Sequence, residues 1–271
     1  MAGTTGLFVR TYGEDGPPVV ILHGLLGSSD NWHPIAKRLG ETHRVLVPDL
    51  RNHGRSGHRD DASLTAMADD VPALLDKHGL SHAVLLGHSL GGRIAMQAAT
   101  RWPSRVSALV VVDMSLREYA PHHLPTLDAM AALPVATFQR RAEADAALAE
   151  ALPNPAERQL ILKCLTNGPE GLRWRINLPA IRAAYPGYLG STALVGTFDG
   201  PALFIAGGRS DYLVGTDHVA IREHFSQARF STVKAAGHWV HADAPEPFLD
   251  LVESFLAHCP DSPLAQSEGK R

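Results

Sequence analysis

Two short runs in this chain, Val19 to Leu22 and Ala83 to Leu86, are apolar at every position, and Val106 to Val112 is apolar but for Ser107 and Asp113 beyond it. A strand with one wet face alternates apolar and polar residues. Unbroken runs therefore predict strands covered on both faces, as in a parallel sheet between helices. Leu7 to Tyr12 alternates and predicts an outer strand, and Arg44 to Pro48 predicts another strand. Between these runs the period changes. Pro34 to Gly40 reads as a short helix, and Thr65 to His78 carries Met67, Val71, Leu74 and Leu75 at helical spacing until Gly79. Gly92 to Ala99 has the composition of a buried helix.

From about Met114 to Asp199 the strand–helix rhythm stops. This stretch predicts no strand, only helix-like segments such as Phe138 to Leu152 and Pro155 to Leu165, with prolines between them. It is too long for a loop and reads as an inserted helical cap. The rhythm resumes with strands at Pro201 to Ala206 and Ala228 to Lys234 and a helix at Pro245 to His258. The expected organisation is an α/β core from 1–113 and 200–259, a cap at 114–199 and a flexible polar tail at 260–271.

Composition narrows the partners. The 271 residues are 45% hydrophobic and 20% charged with a net charge of −3, which gives no reason to expect nucleic acid or an anionic membrane. No apolar run is long enough to span a bilayer, and the N-terminus lacks a secretory pattern. Only Cys164 and Cys259 occur, so a reducing cytoplasm is expected rather than a disulfide framework. Fifteen histidines are scattered without metal-ligand spacing, and no cofactor or metal is expected. Nothing in the pattern speaks to oligomeric state.

The chemistry gathers at strand ends. Gly87-His88-Ser89-Leu90-Gly91 reads G-x-S-x-G between a strand and a helix, the context in which a tight turn exposes a serine nucleophile. A serine hydroxyl needs a base, and His238 follows the last predicted strand; its rival, His241, lies further on. The base needs an acid to fix its tautomer, and two strand-end aspartates, Asp113 and Asp211, fall between Ser89 and His238 in the expected order. Asp49 precedes the serine and reads as structural. The backbone N–H groups of Leu90 and of Leu25, in the loop after the Val19–Leu22 strand, are the expected oxyanion donors.

These motifs resemble the α/β-hydrolase fold family. Within it, Gly27 to Trp32, Asp49 to Ser56, Asp113-Met114-Ser115, Trp174 to Leu178 and Gly237 to Ala242 resemble the YbfF-type bacterial esterases and their ABHD11-type mitochondrial relatives. The resemblance implies hydrolysis of a small-molecule carboxylic acyl ester through an acyl-enzyme on Ser89, with acyl-CoA thioesters as a further option. It points to Asp113 as the acid, but an aspartate also fills the second slot, so Asp211 stays open. A cap of this kind would set substrate choice, with Leu25, Leu26, Met114, Tyr119, Trp174 and Trp239 as candidate pocket residues. Arg117, His122 and His123 are candidates for a polar head. Cofactor-free perhydrolases or haloperoxidases, carbon–carbon bond hydrolases and silent ligand-binding receptors share the fold and are the alternatives. Ser89 argues against dehalogenases and epoxide hydrolases, which need a carboxylate nucleophile.

Overall fold

A computed structural model describes residues 6–192 and 194–259. The chain opens with β1 (Val9–Tyr12), β2 (Pro18–Leu22), α1 (His33–Leu39), β3 (Arg44–Pro48) and α2 (Leu64–Lys77). It continues through β4 (Ala83–His88), α3 (Leu90–Arg101) and β5 (Val106–Val112). Next come α4 (Leu124–Ala132), α5 (Arg141–Leu148), α6 (Pro155–Leu162), β6 (Leu165–Asn167), β7 (Leu172–Trp174) and α7 (Leu178–Leu189). The sequence then returns to the sheet with β8 (Ala202–Gly207), α8 (His218–His224), β9 (Ala228–Val233), α9 (Val240–Asp243) and α10 (Pro245–Leu256).

Seven strands form one sheet in the order β1-β3-β2-β4-β5-β8-β9. All pairs are parallel except β1 with β3. Because successive side chains point to opposite faces, the apolar runs feed two cores at once. Val20, Leu22, Leu46, Leu85, Leu109 and Val111 pack with Met67 and Val71 of α2 and Ile94 of α3. Val19, Ile21, Val45, Val84, Leu86 and Val110 pack on the other face with Ile35 of α1 and Phe248 and Val252 of α10. The first of these cores runs on without a break into Leu127, Leu148, Ile161, Leu165, Ile181 and Tyr185 of the insertion between β5 and β8.

The insertion departs from the expectation of helices alone: β6 and β7 form an antiparallel hairpin, with Leu165 opposite Trp174 and Asn167 opposite Leu172. Arms of three residues are too short to display a period. The hairpin is held from outside, where Leu172 N–H donates to Phe138 O at 2.8 Å. Gly171 leaves room for this approach, since a Cβ there would stand 2.2 Å from Ala136 O. The helix expected over Phe138 to Leu152 is confined to α5, where the Glu143 carboxylate accepts the N–H groups of Gln139 at 2.8 Å and Arg140 at 3.3 Å. That side chain occupies the helix start and ends it there.

Candidate active site

Ser89 joins β4 to α3 with φ 53° and ψ −117°. Its N–H donates to Val112 O at 3.1 Å, and its carbonyl accepts from Arg93 N at 3.2 Å. Two glycines make the turn possible. A Cβ on Gly87 would lie 2.2 Å from Gly91 O, and one on Gly91 would lie 2.1 Å from Leu22 O. Positive φ recurs at Leu26 (60°), Asn52 (65°) and Asp113 (49°), so one non-glycine residue in this region follows each of β2, β3, β4 and β5. Such conformations cost of order 1–3 kcal/mol each and persist only where the surroundings over-determine them.

Asp113 is fully buried. Its Oδ1 accepts Gly207 N–H at 2.9 Å from the neighbouring strand end, and its Oδ2 accepts the Ser210 hydroxyl and His238 Nδ1–H, the latter at 2.7 Å. Because Nδ1 carries the donated proton, Nε2 is the nitrogen free to take another. The ring of Tyr212 stacks on the imidazole at 4.0 Å. His88, inside the serine turn, donates its Nε2–H to His238 O at 2.9 Å and so ties the turn to the loop carrying the imidazole. Asp211 is exposed, and its backbone carbonyl accepts from Arg117. Of the two aspartates, the structure therefore brings Asp113 to the imidazole. Ser210, the residue before Asp211, escaped the sequence reading; its strand-end position was the available signal.

The loop after β2 closes on the serine from the other side. A Cβ on Gly24 would lie 3.4 Å from Ser89 Cβ and 3.0 Å from His88 Nδ1. His23 fixes this loop, since Leu50 N–H donates to its Nε2 at 2.9 Å and its Nδ1–H donates to Gly24 O at 2.8 Å. Asp49 fixes the next loop, its carboxylate accepting Ser29 N–H at 2.7 Å and Arg55 N–H at 2.8 Å. Neither the Leu25 nor the Leu90 amide enters a turn hydrogen bond among the described residues, and Leu90 opens α3, whose N-terminus favours negative charge.

Burial keeps the neighbouring rings neutral. It holds His23 and His88 below the ordinary histidine range and lowers His53 and His241 to about 3. His241 lies flat on Trp32 at 4.0 Å. None of these rings places a positive charge beside His238 at neutral pH, so an imidazolium forming there would meet the Asp113 carboxylate without competition from a second cation in the set.

The candidate pocket residues divide. Leu26 and Met114 are buried, Tyr119 and Trp174 are half-buried against the insertion-side core, and Trp239 is 43% exposed. Tyr119 has structural duties as well, accepting Ser115 N–H at 2.9 Å and donating to Tyr212 O at 2.5 Å. His122 is exposed, whereas burial lowers His123.

A serine on a strained strand–helix turn, tied through His88 to the loop whose imidazole is oriented by a buried carboxylate, defines a hydrolase of the α/β class. The chain belongs to that family: the model of the α/β hydrolase fold matches residues 17–245. It is similar to the mouse sn-1-specific diacylglycerol lipase ABHD11, at 39% identity over 89% of this chain and 81% of that protein. It is also similar to Escherichia coli esterase YbfF, at 33% identity over 88% of this chain and 92% of that one. Among solved structures, a marine microorganism esterase superposes with a TM-score of 0.90 at 35% identity, covering 93% of this chain and all (100%) of the other.

Proposed function

We propose that this protein, a carboxylic ester hydrolase by family, cleaves a small-molecule acyl ester through an acyl-enzyme on Ser89. Ser89 Oγ attacks the ester carbonyl carbon while His238 Nε2 takes its proton. The tetrahedral oxyanion accepts hydrogen bonds from the Leu25 and Leu90 amides, each such donor being worth about 2.7–4 kcal/mol of transition-state stabilisation. As the intermediate collapses, the imidazolium returns the proton to the departing alcohol, or to a thiol where the substrate is a thioester. Water, deprotonated by the same imidazole, then releases the acid. Asp113 holds the tautomer and balances the imidazolium.

The observation that carries this reading is the 2.7 Å bond from His238 Nδ1 to a carboxylate that is itself clamped by Gly207 and Ser210. Under the same proposal, residues 114–199 act as a cap that selects the acyl group, with Leu26, Met114 and Trp174 as its apolar contacts. Cys164 and Cys259 are both buried, and a reducing, cytoplasmic setting belongs to the same proposal. No described helix is long and apolar enough to cross a membrane.

The test is covalent. A fluorophosphonate probe should label the wild-type protein and not Ser89→Ala, and p-nitrophenyl esters should be hydrolysed with an initial burst. Labelling that survives Ser89→Ala, or an intact protein inert towards the whole ester series, would refute the proposal.

A further inference from the structure

A cleft of about 530 Å³ opens between the loop after β3 and the β6–β7 hairpin, and none of the residues assigned to catalysis lines it. Its walls carry Arg55, His58, Thr166, Arg173 and Arg175, with no aspartate or glutamate. A smaller pocket shares Gly54 and Arg175 with it and adds Lys163 as it reaches Leu26 and Gly27. Two carboxylates flank the cleft: buried Asp49, whose Oδ2 accepts Arg55 N–H at 2.8 Å, and Asp30, which is already divided among Arg10, Arg55 at 3.5 Å and Arg175 at 3.9 Å. Arg173 spends its Nε–H on a backbone carbonyl, Asn167 O, at 3.3 Å. A chain of net charge −3 thus gathers surplus positive charge in one cleft. Guanidinium groups do not shed their protons in proteins, so the surplus persists at every physiological pH.

The cations are also arranged. Arg173 lies in β7 and Arg175 one residue beyond its end, both lining the cleft, and Thr166 is the cross-strand partner of Arg173. Opposite them, the Arg55 backbone is pinned by Asp49 and its guanidinium lies over the Phe8 ring at 4.5 Å. Planar guanidinium forks match the paired oxygens of a phosphate. We propose that this cleft binds a phosphate group, clasped between Arg55 of the core and Arg173 and Arg175 of the insertion, with the Thr166 hydroxyl completing the contact. The group is either part of an acyl-ester substrate or a free ligand that ties the insertion to the core; the first case rests on the hydrolase reading above.

Calorimetric titration of the full chain with inorganic phosphate, against chloride at matched ionic strength, tests the site without any turnover. Saturable binding is expected, weakened about tenfold or more in Arg173→Glu, the scale of one lost charge-assisted hydrogen bond. Arg173 is exposed, so this substitution spares the fold, and Arg175→Gln serves as an independent second variant. Kinetics separate the two sources. If the phosphate belongs to the substrate, Arg173→Glu raises KM for a monoacylglycerol phosphate and leaves the matching monoacylglycerol unchanged. If it is a free ligand, inorganic phosphate alters turnover of the neutral ester in wild type and not in Arg173→Glu. Binding in a protein that hydrolyses no ester would overturn the hydrolase proposal and support this one. Absence of saturable phosphate binding at millimolar concentration, or binding unchanged in both variants, would overturn the phosphate site.

Discussion

At the ends of β2 to β5 the backbone itself is the constrained quantity, whereas in the insertion between β5 and β8 the constraints are side-chain anchors. The first region holds Leu26, Asn52, Ser89 and Asp113 at positive φ, with glycines where a Cβ would strike a carbonyl. The second shares a continuous apolar core with the sheet and is fastened to it by single polar groups. Tyr188 OH donates to Ala62 O at 2.6 Å, Asn177 Nδ2 to Asn52 Oδ1 at 3.2 Å, and Cys164 Sγ to Leu26 O at 3.2 Å. Buried Arg93 on α3 reaches Arg117 O at 2.6 Å and also donates to Gly190 O, near the two ends of the insertion. Backbone constraint keeps reacting groups in register; side-chain anchoring lets a neighbouring layer be exchanged without disturbing them. The rim should therefore govern the rate for every substrate, and the insertion should govern which substrate is accepted.

The largest expected effect lies in the rim. Asp113→Asn keeps the shape of the carboxylate but disturbs the imidazole tautomer, and kcat should fall about 10⁴-fold, as for the equivalent change in a serine protease triad. The fall should be the same for short and long acyl esters. Asp211→Asn should leave kcat at the wild-type level, because the described contact of that residue is its backbone carbonyl. Steady-state kinetics on an ester chain-length series checks both. A loss in Asp113→Asn that varied with chain length would break the division between rim and insertion.

An intermediate effect is expected at the anchor. Arg93→Met removes the donor from the part-buried carbonyls of Gly190 and Arg117, at up to about 1–3 kcal/mol for each. Urea unfolding should show that loss, and limited proteolysis should cut first within 114–199. Unaltered proteolysis together with a reduced kcat would mean that Arg93 supports the serine turn rather than the insertion.

The same contrast explains what could be read from the sequence. Parallel strands, the G-x-S-x-G turn and the histidine after the last strand are local patterns, and each demands particular residues at fixed spacing. The choice of aspartate is not local. Asp113 and Asp211 both follow strands, and only the pairing of β5 with β8 carries Gly207 N–H and Ser210 to the Asp113 carboxylate. The β6–β7 hairpin was hidden for another reason. Its arms have three residues each, and its stability comes from Phe138 O and from packing of Leu165 and Leu172, contacts distributed along the chain.

The smallest expected effect measures how tightly each region excludes water. His241 titrates near 3 in the folded protein because it is buried, and near 6.5 when unfolded. Between those values the unfolded chain holds the extra proton. Its contribution to stability is thus fully present above about pH 6.5 and is lost as pH falls toward 3, by about 1.4 kcal/mol per pH unit. His241 Nδ1 is buried without a hydrogen-bond partner among the described residues, so His241→Phe sacrifices little and retains the stack on Trp32. Denaturant unfolding between about pH 6 and 4 should show a slope of stability against pH reduced by that amount. His123, in the insertion, is also lowered by burial, though its ring nitrogen lies within 3.4 Å of Tyr185 OH. If His123→Phe flattens the slope equally, the insertion shuts out protons as firmly as the strand-end rim. If it flattens nothing while His241→Phe does, the insertion opens to water before the rim unfolds, as a layer held by side-chain anchors should.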